Sequence, residues 1–204
     1  MSRTLLIPAL ALAASCTLDE QGNAVSATTV AEDTAESSLA DECPANTPPA
    51  VAPNADLDLA FVTDAQGVQK YTCVGSATVG FAWTFVAPDA DLFDSAAHGL
   101  AIHHFAGPTW LYKDSSSVAA ARHSGVTVDA TAIPWLLLDV TRHGGAPGRL
   151  SEITQIQRLA TTGGLAPATG CDADHVGAEN DVLYTARYFF YRATTKANPM
   201  RCGG

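Results

Sequence analysis

Beyond residue 67 the chain is a succession of short strand-like runs separated by turn residues, and this pattern limits what it can fold into. Residues 68–74 (VQKYTCV) are β-branched and aromatic, and 81–86 (FAWTFV) alternate large and small and are expected to stop at Pro88. Residues 99–105 (GLAIHHF) and 109–112 (TWLY) flank the Gly107-Pro108 bend, and 117–122 are expected to pair back after an Asp114-Ser115-Ser116 turn. Residues 135–141 (WLLLDVT) break at Gly144-Gly145, 153–159 (ITQIQRL) alternate, and 183–192 carry Tyr184, Tyr188, Phe189, Phe190 and Tyr191. Strands at this spacing, with Gly and Pro between them, predict an all-β fold, an antiparallel sandwich or barrel. Helix is minor, confined to turns at 89–93 and 174–179.

The N-terminal residues do not belong to that fold. One early Arg3 and an apolar run of about ten residues, Leu5 to Ala14, are signal-peptide anatomy, too short to span a bilayer. Leu12-Ala13-Ala14-Ser15-Cys16 resembles a bacterial lipobox, with Leu four rather than three positions before the cysteine. The expectation is a lipoprotein-type signal over residues 1–16, with Cys16 lipidated; cleavage of an ordinary signal near Ser15 is the alternative. No Asp follows Cys16 to argue for inner-membrane retention, so the expected location is extracytoplasmic, lipid-anchored at the bacterial outer membrane or cell surface. Residues 17–42, rich in Ala, Thr, Ser, Glu and Asp and without an aromatic, read as a disordered acidic tether. A single β-rich domain is expected over 43–204, opening with an extended Pro-rich stretch.

Cysteine usage agrees with export. Of five cysteines, Cys16 taken by lipid leaves Cys43, Cys73, Cys171 and Cys202, which can pair as two disulfides. There is no CxxC to favour zinc. Among the three connectivities, Cys43–Cys202, tying the ends of the domain, and Cys73–Cys171 are expected. Charge excludes a class of partner. Residues 17–56 hold eight acidic residues and no Lys or Arg, so −8 of the net −10 lies there and, Arg3 aside, the remainder carries only −3. Such a domain lacks the basic face that nucleic-acid binding requires.

Several motifs then occur in one order: Tyr71-Thr72-Cys73, His104-Phe105-Ala106-Gly107-Pro108-Thr109-Trp110, Ala132-Ile133-Pro134-Trp135, Ile156-Gln157-Arg158, Thr162-Gly163-Gly164, Gly170-Cys171-Asp172 and Tyr184-Thr185-Ala186-Arg187-Tyr188-Phe189-Phe190-Tyr191. In this order they resemble domain-of-unknown-function family 3455, found in exported bacterial and fungal proteins, across residues 57–191. The resemblance implies export and a β-rich domain, and no established activity. The family typically has an Asp-Gly-Ser turn after the Trp, where this chain has Asp114-Ser115-Ser116. Some members carry the label malate dehydrogenase, which this sequence does not back: no GxGxxG follows a strand and there is no βαβ alternation, so a nicotinamide-dependent dehydrogenase is not expected.

Candidate site residues follow from strand faces. In 99–105, Leu100, Ile102 and His104 share an apolar face, which points His104 toward the interior or a cavity, and Trp110 follows across the Gly-Pro bend; the alternative to a ligand role is a core histidine satisfied by a backbone carbonyl or an acid. Core packing is expected for Trp83, Trp110 and Trp135, with Trp110 the best candidate for an exposed one. Gln155 and Gln157 share a face with Ile153 and Leu159, and Arg158 lies on the other; Gln157 and Arg158 join His104 and Trp110 as ligand-pocket candidates. A metal site would draw on His104 with His175 and Glu179, or His143, although no HxH or HExxH spacing occurs. Asp172, Asp174, His175 and Glu179 form an acidic loop that could hold Ca²⁺ or simply cap a turn. Two functions are thus in play: a noncatalytic module binding a small ligand, glycan or surface partner near His104 and Trp110, with no cofactor required, and a metal-assisted extracytoplasmic enzyme using His104, His175 and Glu179.

Overall fold

The computed structural model describes residues 42–94, 99–194 and 202. The expected signal with Cys16, the tether up to residue 41 and His98 lie outside the described residues. Among the described residues the chain forms eight strands: β1 (Leu57–Ser76), β2 (Gly80–Asp94), β3 (Leu100–Phe105), β4 (Thr109–Tyr112), β5 (Ser116–Val126), β6 (Trp135–Gly145), β7 (Ile153–Gly163) and β8 (Glu179–Ala193). Each pairs antiparallel with the next, and β8 pairs back onto β1, so the sheet closes as an up-and-down barrel rather than a sandwich. Closure gives both outer strands a partner and removes the free sheet edge.

The strands run further than their sequence limits suggest. β2 passes through Pro88 instead of stopping there, because the β1–β2 register shifts at Lys70/Tyr71, beside the proline's partner Gln69. A bulge next to a proline accommodates the missing N–H donor. Residues 89–93, expected as a helical turn, continue β2. Ala90 and Leu92 are buried, while Asp89 reaches Lys70 (3.2 Å) and Asp91 reaches His103 (3.3 Å) on the other face. Gly144 and Gly145 do not break β6; they pair with Ser117 and Ser116. Residues 174–179 are a turn running into β8, not a helix. Ser115 takes the positive φ (71°) for which glycine is the usual residue, its turn held by Asp114 Oδ1, which accepts from the Ser116 N–H (2.8 Å) and hydroxyl (2.6 Å).

Two apolar clusters hold the domain. One draws a side chain from every strand, including Phe61, Leu92, Ile102, Trp110, Val118, Leu138, Ile156 and Phe190, and only the barrel interior can bring all eight strands together. The second is built from Leu57, Leu59, Val62, Leu137, Leu159, Phe189 and Tyr191, which come from β1, β6, β7 and β8 alone and therefore mark the outer face of that side. It is covered by residues 42–56, a strap whose 3-10 turn Pro49–Val51 inserts a fully buried Val51. Each large apolar side chain removed from water contributes ~1.5–3 kcal/mol, so the strap is part of the core. Cys43–Cys202 ties the strap down, and Cys73–Cys171 ties β1 to the β7–β8 loop. Both are the expected pairings, and they belong to an oxidising, extracytoplasmic environment.

Candidate functional site

Inside the barrel lies a cavity of about 390 Å³. Its wall is largely apolar, with Phe85, Val86, Pro88, Leu136 and Leu138 among the lining side chains, and its polar members are Gln69, His104, Trp110, Arg122, Arg158 and Tyr188. Phe85 and Val86 are half-exposed and Arg122 is exposed, which places them at the mouth; His104 and Trp110 are buried at 2% and 1% exposure. No Asp or Glu lines the cavity among the described residues.

Strand pairing builds the aromatic part of the wall. The Gly107-Pro108 bend sets His104 on β3 opposite Trp110 on β4. Their rings stack at 4.2 Å and 10°, with Tyr188 of β8 edge-on to both (5.7 and 6.0 Å). His104 Nδ1 lies 3.0 Å from the Thr109 carbonyl. A carbonyl can only accept, so Nδ1 donates and carries the proton of a neutral ring. Burial holds the His104 pKa at about 3; the bond to Thr109 works against this, and the nearby Arg158 charge adds to it. Burial likewise pushes the Tyr184 hydroxyl upward, reinforced by Tyr188, whose hydroxyl is 3.4 Å away.

Gln69, from β1, sits under the start of the β7–β8 loop. Gly164 (φ 77°) lets that loop lie close: a Cβ there would be 2.9 Å from Tyr184 Cβ and 3.2 Å from Gln69 Cγ, and the Gly164 carbonyl accepts from the Tyr71 hydroxyl at 2.6 Å. Gln69 is 3% exposed, yet its Nε2 has no hydrogen-bond partner among the described residues. The same holds for Trp110 Nε1 and Arg158 Nε. Arg158 Nη2 donates to the Pro134 carbonyl at 2.9 Å. Buried polar atoms are nearly always paired; Thr63 Oγ1, Arg187 Nε and Arg192 Nε are the other unpaired ones among the described residues, but three on residues lining one cavity form a cluster.

Of the four expected pocket residues, His104, Trp110 and Arg158 come together here. Trp110 is packed, as expected of the tryptophans, because the β3–β4 hairpin turns it into the lumen. Trp83 donates to the Thr169 carbonyl at 2.9 Å, and Trp135 is half-buried against the outer cluster. Gln157 lies on the other side of the barrel wall from Arg158. Its Nε2 donates to the Val51 carbonyl and its Oε1 accepts from the Tyr191 hydroxyl at 2.6 Å, so it anchors the strap. Gln155 shares that task, accepting from the Asn54 N–H at 2.9 Å and donating to Asp139 at 2.8 Å. Ile153, expected on their face, belongs instead to the interior cluster, because the β7–β8 register shifts between Ile153 and Gln155.

The metal reading finds no geometry. His104 is inside the barrel, while His175 is exposed in the loop after Cys171, its Nδ1 2.6 Å from Asp172. Glu179, at the start of β8, pairs with Thr72, and His143 Nε2 meets the Ile153 carbonyl at 2.8 Å. Among the described residues no three His, Cys, Asp or Glu side chains are grouped to hold a metal. Asp172 caps its own turn, accepting from the Asp174 N–H at 3.0 Å, and its bond to His175 draws the Asp172 carboxyl down and the imidazole up.

Gln69, Arg122 and Tyr188 were not singled out from sequence. The available signal was positional: Gln69 falls two residues before Tyr71 and Tyr188 two before Phe190, in strands whose alternate residues face inward. A family model described as a protein of unknown function (DUF3455) matches residues 53–192. Neither a curated protein nor a solved structure matches the chain.

Proposed function

The chain belongs to the DUF3455 family of proteins of unknown function, and from that footing we propose that it is a noncatalytic extracytoplasmic binding module that takes a small molecule into the barrel lumen beside His104 and Trp110. The observation that carries this reading is the set of unpaired buried donors, Gln69 Nε2, Trp110 Nε1 and Arg158 Nε, on the wall of a mostly apolar cavity. Small-molecule sites combine these two properties: apolar walls supply affinity and a few fixed polar groups supply orientation. A small ligand fits better than a glycan on the surface, since sugar stacking needs an open aromatic face and Trp110 is buried. The noncatalytic reading rests on His104, which is held neutral and has no carboxylate beside it on the cavity wall to orient it as a base. In this proposal residues 1–16 direct export, lipid on Cys16 anchors the chain at the outer membrane or cell surface, and residues 17–42 carry the barrel clear of it. The even number of cysteines left once Cys16 is set aside, all four of them paired, supports that arrangement.

The test is a small-molecule screen read by Trp fluorescence and thermal stabilisation of the purified protein, beside Leu136→Trp, which narrows the lumen with a larger side chain. Saturable binding lost in the variant, with its circular dichroism unchanged, is the expected result. Binding that survives the substitution unaltered would move the site elsewhere.

A further inference from the structure

We infer that the molecule taken into the lumen is a small carboxylate, its head group on Arg158 and its apolar part against Phe85, Pro88 and Leu138. The inference rests on the binding reading above and adds a chemical class to it.

Arg158 is the first ground. Its guanidinium is always charged, the residue is only 9% exposed, and among the described residues no carboxylate pairs with it. Among the described residues its guanidinium makes one hydrogen bond, to a neutral acceptor, the Pro134 carbonyl. A buried charge without a counter-charge is strongly disfavoured, whereas an arriving anion relieves it and gains a charge-assisted bond. The hydrogen-bonding sense of the wall is the second ground. The unpaired atoms Gln69 Nε2, Trp110 Nε1 and Arg158 Nε are all donors, so the occupant has to bring acceptors. The sign of the wall is the third: Arg122 stands at the mouth, and no Asp or Glu lines the cavity among the described residues.

Charge and size narrow the class. One buried guanidinium balances one negative charge. A phosphate dianion would need a second cation beside Arg158, and Arg122 is exposed at the mouth, whereas a carboxylate needs the buried guanidinium alone and brings one charge and a planar pair of acceptors. A cavity of about 390 Å³ has room for about a dozen water-sized groups at ~30 Å³ each, which corresponds to a carboxyl group on a tail of about ten carbons.

The experiment uses matched pairs of equal size and different charge: 4-phenylbutyrate with 4-phenylbutyramide, and decanoate with decanamide. Each is titrated against the purified protein by calorimetry at neutral pH. At least one carboxylate is expected to bind about tenfold or more tightly than its own amide, and the stronger pair identifies the tail as aromatic or aliphatic. Equal affinity within both pairs overturns the carboxylate assignment and leaves the lumen as a binding site for neutral molecules. Binding of neither member of either pair also overturns it; if neutral molecules from the screen still bind and Leu136→Trp blocks them, the lumen reading stands alone. Arg158→Gln then tests the residue. Loss of the preference in a folded variant supports the assignment and its persistence overturns it; should the variant fail to fold, the wild-type pairs decide.

Discussion

Gln157 and Arg158 are neighbours on one strand, both buried, and they live in opposite chemical worlds. On the outer face of β7, Gln157 uses both ends of its amide, on the Val51 carbonyl and the Tyr191 hydroxyl, and Gln155 does the same with Asn54 and Asp139. On the inner face, Arg158, Gln69 and Trp110 each keep a donor with no partner. Burial alone therefore does not separate scaffold from site in this barrel. For these five residues satisfaction does: Gln155 and Gln157 use their amides in holding the strap, and Gln69, Trp110 and Arg158 each keep a free donor beside a cavity.

The largest effect that would strain this contrast comes from the strap. Replacing both Cys43 and Cys202 with Ser opens a covalent loop with a sequence separation of 159 residues, a loss of about 5 kcal/mol on chain-entropy grounds. Urea unfolding should show that loss while affinity in the lumen stays unchanged; a parallel fall in affinity would mean that the two faces are coupled. The next effect belongs to the inner face and is read through pH. His104 has a folded pKa of about 3 against an ordinary 6.5, so between those values the unfolded chain binds the extra proton. Stability is then complete above about pH 6.5 and falls as pH drops towards 3, by on the order of 4 kcal/mol. His104→Phe should flatten that slope in denaturation curves taken from pH 4 to 7, and an unchanged slope would place the titration elsewhere. The smallest effect makes the sharpest comparison. Gln157→Leu should cost about 2–4 kcal/mol by stranding the Val51 carbonyl and the Tyr191 hydroxyl, whereas Gln69→Leu should be neutral or slightly stabilising in the free protein. Equal losses from the two substitutions would erase the distinction between the faces.

Much of the inner face could be read from the residues. Strand alternation put His104 inward, the cysteines gave both disulfides, and Arg158 fell on the face opposite Gln157. What alternation could not supply were the bulges. The shift at Lys70/Tyr71 lets β2 run through Pro88, and the shift at Ile153/Gln155 puts Ile153 inside while both glutamines face out. A bulge is one residue of excess in a ladder, and it is visible only once the partner strand is known. Grouping Gln157 with the pocket failed for a related reason. Its partners are a carbonyl and a hydroxyl about 106 and 34 residues away in sequence, and nothing local announces them. Gln69 was hidden in the opposite sense, since the mark of its role is a partner it does not have.

The Cys43–Cys202 bond has a mechanical consequence. The strap begins at one of these residues and the other follows β8, so all eight strands lie within the span the bond closes. Tension applied between the segment before residue 43 and the segment after residue 202 passes through the sulfur atoms and bypasses the ladder. A pull between those two segments would then load a covalent bond and leave the hydrogen bonds of the barrel, and whatever sits in its lumen, under no strain.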